Sequence, residues 1–179
     1  MIAYAKDPEA YAPHLALVHP DMDPSTEVIT RVHSECITGD LFGSKRCDCG
    51  EQLNRAMRIA AAGAGIVLYL RQEGRGIGII NKLKAYELQD QGLDTIQANV
   101  HLGLDVDGRD YTVAQGILQD LGVSKIQLLT NNPEKVEAFG EGPVEVVRRL
   151  PIVVDPIKEN RGYLQTKETS MGHWLNLFH

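Results

Sequence analysis

Residues 27–71 read EVITRVHSECITGDLFGSKRCDCGEQLNRAMRIAAAGAGIVLYLR, and this stretch decides the fold class. Glu27 to His33 is rich in β-branched side chains and reads as a strand. After the CDCG turn, Leu53, Met57 and Ala60 recur at i, i+4 and i+7. That spacing predicts a helix with those three residues turned inward, Arg55 and Arg58 off that face, and Gly63 at its end. The run IVLYL within Gly65 to Arg71 is continuously apolar and of strand length, the pattern of a buried strand. Strands alternating with helices predict an α/β layered fold.

Working outward, His14 to Val18 reads as a short strand before the turn-rich PDMDPST. On the other side, RQEGRGIG joins a strand to a helix, a setting in which glycines let backbone N–H groups approach a phosphate or a base edge. The helix after it should run to about Gln91, with Ile79, Leu83 and Tyr86 on one face; by spacing alone Tyr86 is a core aromatic. Leu93 to Leu104 yields no clear element, and DVDGRDY is a turn-prone acidic cluster around one arginine. Asp110 can cap a helix reaching Leu121, with Ala114, Leu118 and Leu121 on one face. Lys125 to Thr130 reads as a strand, and Asn132-Pro133 supplies an N-cap and a proline at the first helical position. Thr130 would then stand at the carboxyl end of a strand, where open α/β sheets bind ligands. Val144 to Val147 suggests another strand, and the polar tail from Lys158 turns helical toward Met171.

The length of 179 residues suits one domain. Apolar content of 43% with 23% charged residues is ordinary for a soluble protein, and no apolar run is long enough to span a bilayer, so no membrane partner is expected. The N-terminal residues have neither signal nor transit composition, which points to the cytoplasm. A net charge of −6 argues against broad nucleic-acid binding. It leaves room for a local basic pocket, because Arg31, Lys45, Arg46, Arg71, Arg75, Arg109 and Lys135 lie in or beside the motif segments.

Cys36, Cys47 and Cys49 are all the cysteines of the chain. An odd number confined to fourteen residues is poor disulfide architecture and better explained by a metal, with zinc the first candidate. Cys47 and Cys49 bracket a single residue, unlike the wider pairs of closed structural sites, which favours a catalytic site with water at the fourth corner. A closed structural site that adds His33 or His101 is the alternative.

RVHSECITGD followed by RCDCGEQL resembles the zinc-binding signature of the GTP cyclohydrolase II family. The resemblance continues through LYLRQEGRGIGIINKLKAYELQDQGLDT, DGRDY, LLTNNPEKV and YLQTKETSMGH, and so covers nearly the whole chain. It implies a layered α/β/α sandwich with a mixed sheet, formed by residues 1–179 as a single domain. The implied reaction converts GTP to 2,5-diamino-6-ribosylamino-4(3H)-pyrimidinone 5′-phosphate, formate and diphosphate, the first committed step of riboflavin biosynthesis. Cys36, Cys47 and Cys49 would hold one zinc per subunit, magnesium would accompany the triphosphate, and the enzyme would be a homodimer.

By the same resemblance, GTP contacts fall to Arg31, Val32, His33, Ser34, Glu35, Gln52, Glu73, Gly74, Arg75, Thr95, Thr130 and Lys135. Tyr86 would assist ring opening, Arg109 would be the nucleophile at the α-phosphate, and Asp107 the proton acceptor. A guanidinium with a pKa above about 12 is a poor nucleophile, so stabilisation of phosphate charge is the other role open to Arg109. Relatives usually carry a further strand-forming segment before HLALVHPDM, with a Pro-Thr and Gly-aromatic pattern that this sequence does not repeat. Two other functions stay open: a homologue that stops at the formamide or uses another purine nucleotide, and a noncatalytic nucleotide-binding protein with a structural zinc.

Overall fold

The computed structural model describes residues 1–5, 7, 11–105, 107–140 and 142–178. The chain divides into two compact units. One comprises Met1–His33, Glu51–Arg71 and Asp110–Val153, and the other Ser34–Gly50, Gln72–Arg109 and Val154–His179.

The first unit is built on a six-stranded sheet of β1 (Ile2–Tyr4), β2 (His14–Val18), β3 (Val28–Ser34), β4 (Ile66–Leu70), β5 (Lys125–Leu129) and β6 (Glu145–Leu150), in the order β1-β2-β4-β3-β5-β6. The sheet is mixed: β2 pairs antiparallel with β1 and β4, while β5 pairs parallel with β3 and β6. Residues alternate between the two faces, as the period of a strand requires. Val28 and Val32 of β3 join Ile126 and Leu128 of β5, with Ile66, Leu68 and Leu70 of β4, in the larger core. There they meet Ala114, Ile117 and Leu118 of helix α5 (Thr112–Asp120). Ile29 and Leu129, of opposite parity, pack with Ala56 and Ile59 of helix α2 (Cys49–Ala62) and with Ile152. Helices therefore cover both faces, giving the expected α/β/α layering. Strand β1 was not anticipated; three residues are too few for an alternation to register.

Helix α2 corrects the sequence reading of its inward face. The buried residues are Gln52, Ala56 and Ala60, whereas Met57 is 36% exposed instead of lying in the core. The cause is polar: Arg31 Nη2 donates to Gln52 Oε1 at 2.7 Å, which draws the amide inward, and the small alanines then take the seam.

The second unit carries α1 (Ile37–Asp40), a 3-10 turn over Glu73–Gly76, α3 (Gly78–Asp90), α4 (Thr95–His101) and α7 (Arg161–Thr169). Helix α4 fills the stretch that resisted assignment. Its start is marked by a capping box, with Gln97 N donating to Asp94 Oδ1 and Asp94 N donating to Gln97 Oε1, a pattern readable as D-x-x-Q. Helix α3 is also rotated from expectation: Leu83 is 48% exposed, and Lys82 and Ala85 are buried. The remaining helix, α6 (Pro133–Glu137), belongs to the first unit and is capped as expected, Asn132 Oδ1 accepting from Glu134 N at 3.0 Å.

Candidate active site

In the second unit, Cys36 lies two residues beyond the end of β3, Cys47 precedes α2 and Cys49 begins it. Cys36 Sγ and Cys47 Sγ are 3.7 Å apart, and all three sulfurs lie within 4.8 Å of one another. Thiolates about 2.3 Å from one tetrahedral zinc stand about 3.8 Å apart, so the spacing fits the ion. Among the described residues no histidine or carboxylate joins the group. Gly39 forms its floor: a Cβ there would lie 2.9 Å from Cys47 Sγ and 3.2 Å from Cys36 Sγ.

The electrostatics suit a cation. Hydrogen bonds from Cys47 and Cys49, with the Lys82 ammonium beside them, pull the Cys36 thiol far down against the effect of burial. With that charge in place, Cys47 is pushed up to about 11 and Cys49 is raised as well. One thiol is thus favoured as thiolate while its neighbours hold their protons, and a divalent ion bound there would favour release of those protons too.

Lys82 was missed by the sequence reading. Its Nζ donates to Cys36 Sγ at 3.0 Å and to Glu73 Oε1 at 2.8 Å. Burial works against its charge, but Cys36 and Glu73 outweigh it and hold the pKa above the usual lysine value. The available signal was its i, i+4 relation to Tyr86, which puts both on one side of α3. Glu73 is fully engaged: Oε2 accepts from Ile37 N at 2.6 Å, and Oε1 accepts also from Gly74 N at 2.8 Å. Tyr86 is half-buried, its ring 5.1 Å from the Arg46 guanidinium and 5.8 Å from Lys82 Nζ. Burial raises its pKa, although Lys82 opposes the shift.

The turn after Glu73 is strained. Arg75 adopts φ +62°, a left-handed conformation that costs a side chain about 1 kcal/mol or more, and its Nη1 is buried with no hydrogen-bond partner among the described residues. Arg75 O accepts from Gly108 N at 3.0 Å, tying this turn to the loop of Asp107 and Arg109. Arg109 Nε donates to Asp107 Oδ1 at 2.7 Å, and Arg109 Nη2 pairs with Asp107 Oδ2. Burial would raise the Asp107 pKa, but the Arg109 bonds prevail and lower it. Ser34 Oγ is also buried without a partner among the described residues, and Glu35 is half-buried. Thr95 opens α4 and makes no described hydrogen bond to the thiol group.

The first unit brings together a separate set at the carboxyl ends of β3 and β5. Arg31 Nη1 donates to Leu129 O at 2.9 Å, Lys135 Nζ donates to Val32 O at 2.8 Å, and Thr130 Oγ1 accepts from Asn132 N at 3.0 Å. His33 stacks on Tyr69 with ring centroids 5.6 Å apart. Parallel strands end on one side, so the hydrogen bonds of Arg31, Thr130 and Lys135 gather toward that edge, with Gln52 bonded to Arg31 and Val32 to Lys135.

A mixed α/β sheet joined in one chain with a lysine-backed group of three thiols defines an α/β protein with a cysteine cluster of a kind that could hold a metal ion. The sequence model of GTP cyclohydrolase II matches residues 1–151. A GTP cyclohydrolase-2 of Neisseria meningitidis serogroup A is 53% identical over 164 residues, covering 91% of this chain and 83% of the relative. The riboflavin biosynthesis protein RibBA of Bacillus cytotoxicus is 53% identical over 165 residues, which are 92% of this chain and 42% of that longer protein. The chain belongs to the GTP cyclohydrolase II family of hydrolases.

Proposed function

We propose that the protein hydrolyses GTP to 2,5-diamino-6-ribosylamino-4(3H)-pyrimidinone 5′-phosphate, formate and diphosphate, opening riboflavin biosynthesis. Zinc is held by Cys36, Cys47 and Cys49, and magnesium accompanies the triphosphate. The observation that carries this reading is the group of three sulfurs within 4.8 Å of one another, joined by no further described ligand. Zinc bound there supplies a Lewis acid and a nucleophile drawn from water near neutral pH.

The other work falls to side chains. Lys82 keeps Cys36 ionised and anchors Glu73. Tyr86, with its pKa raised, stays protonated and can donate a hydrogen bond to an oxygen of the opened ring. Arg75 Nη1 and Ser34 Oγ are buried polar groups whose cost a polar substrate would remove. Arg109, oriented by Asp107, acts by stabilising phosphate charge, since a guanidinium gripped by a carboxylate has little nucleophilic character. The nucleotide contacts are the residues named by resemblance above, and Arg31 and Lys135 also fix the strand ends that carry some of them. We assign the protein to the cytoplasm, as a homodimer of one catalytic domain per chain. No helix among the described residues is long and apolar enough to cross a membrane.

Mass spectrometry of the products formed by zinc-loaded protein from GTP and magnesium tests the reading. Formate, diphosphate and the diaminopyrimidinone monophosphate are expected. A formylated product would reveal arrest after ring opening, and unchanged GTP with zinc bound and the fold intact would overturn the assignment.

A further inference from the structure

Helix α7 carries an ion pair that none of the roles above uses. Lys167 Nζ donates to Asp48 Oδ1 at 2.8 Å across 119 residues of sequence. The Asp48 side chain is 1% exposed and that of Lys167 12%. Tyr163, one turn earlier on α7, presents its ring 4.5 Å from the Lys167 ammonium, and Leu164 is the buried residue of the helix. A carboxylate so deeply buried leans on its cation, because removal of either partner takes away an ion-pair contact that offsets a buried charge.

The location of Asp48 gives the pair its meaning. It is the single residue between Cys47 and Cys49, and it immediately precedes α2. With one residue between them, the backbone torsions that set how the two sulfurs diverge are few, and φ and ψ of Asp48 lie at their centre. The tip of that residue is fastened to a separate helix, so the turn cannot rotate without breaking a buried ion pair. The Gly50 backbone just after the turn is itself closely packed, since a Cβ there would lie 2.4 Å from Gly39 O.

We propose that Lys167 is a positioning residue for the Cys47–Asp48–Cys49 turn, so that α7, through its buried bond to Asp48, sets the directions of two sulfurs and with them the metal affinity of the thiol group. The proposal rests on the reading that these thiols hold a metal. It differs from the role of Lys82, which bonds to Cys36 itself.

The test compares the full-length protein with Lys167→Met, Lys167→Arg, Asp48→Asn and the double variant Lys167→Met/Asp48→Asn. Zinc affinity is measured by competition with a chelating dye, the thiolate-to-cobalt absorption is recorded on Co²⁺-loaded protein, and metal-free stability is followed in urea. Lys167→Met and Asp48→Asn should each weaken zinc binding by about 10- to 100-fold and alter the cobalt spectrum. Lys167→Arg should restore part of the affinity. The double variant should lose no more than the worse single one, because both act through one contact. It also removes both charges of the pair together, so it carries the test if Lys167→Met fails to fold. Zinc affinity within twofold of wild type and an unchanged cobalt spectrum, with only metal-free stability reduced, would make the pair a mere fastening of α7 and overturn the proposal. Losses that simply add would do the same. Wild-type protein that takes up neither zinc nor cobalt would instead remove the metal reading itself, and the proposal with it.

Discussion

Lys82 Nζ lies 3.0 Å from Cys36 Sγ and 2.8 Å from Glu73 Oε1, so one buried ammonium serves a thiol of the cysteine group and a carboxylate of the neighbouring turn. Lys82→Met is expected to weaken zinc binding by about tenfold or more. It should also destabilise the metal-free protein by about 3 kcal/mol, since Glu73 is left buried without its cation. Adding Glu73→Gln should recover much of the stability in urea but not the affinity in chelator competition. Recovery of both would mean that Lys82 serves Glu73 alone.

Gly39→Ala should separate metal binding from folding. The added methyl would stand 2.9 Å from Cys47 Sγ and 3.2 Å from Cys36 Sγ, forcing the sulfurs apart, with side-chain atoms as its two nearest neighbours. Zinc affinity should fall by about tenfold or more while the urea midpoint changes little. Gly50→Ala, whose methyl meets the Gly39 carbonyl oxygen at 2.4 Å, should unfold the protein more readily instead.

If Arg109 acts through its charge, Arg109→Ala should lower kcat by about 10² to 10³. Arg109→Lys should retain part of the rate, because it keeps the charge while losing the fork that holds Asp107. Steady-state kinetics with GTP, read as kcat and KM separately, decide this. A lysine variant as inactive as the alanine one would favour the covalent role.

His173 should make the fold acid-sensitive. Burial, with Lys167, Arg75 and Arg109 nearby, pushes its pKa down to about 3. Between its unfolded pKa of about 6.5 and that value, the unfolded chain binds a proton that the folded chain refuses. Its effect is therefore absent above pH 6.5 and subtracts stability as pH falls through the window, by up to about 1.4 kcal/mol per pH unit. Urea titrations of wild type and His173→Gln should diverge between pH 6.5 and 4.5, the variant losing less. A constant difference would show that His173 protonates freely in the folded state.

Much of the sheet was legible because its strands announce themselves locally. The strand at His14–Val18 has the bounds its sequence suggests, and β4 and β5 fall within one residue of theirs. Helix faces were harder. Leu53, Met57 and Leu83 have the right spacing for a core, yet the polar Gln52 and Lys82 are among the residues buried in their place, because each found a polar partner on another segment. Hydrophobic period locates a helix; it cannot weigh a partner that the sequence does not bring near.

The sequence by itself determined that three cysteines lie beside a strand and a helix start, within motifs of the GTP cyclohydrolase II family, and that those elements belong to an α/β protein. Only the tertiary structure decided that the three sulfurs converge, that Lys82 stands against Cys36, and that Lys167 reaches Asp48 from 119 residues away. The physical reason is that desolvation and Coulomb attraction depend on distance in space, and the partners that govern these groups are remote in sequence.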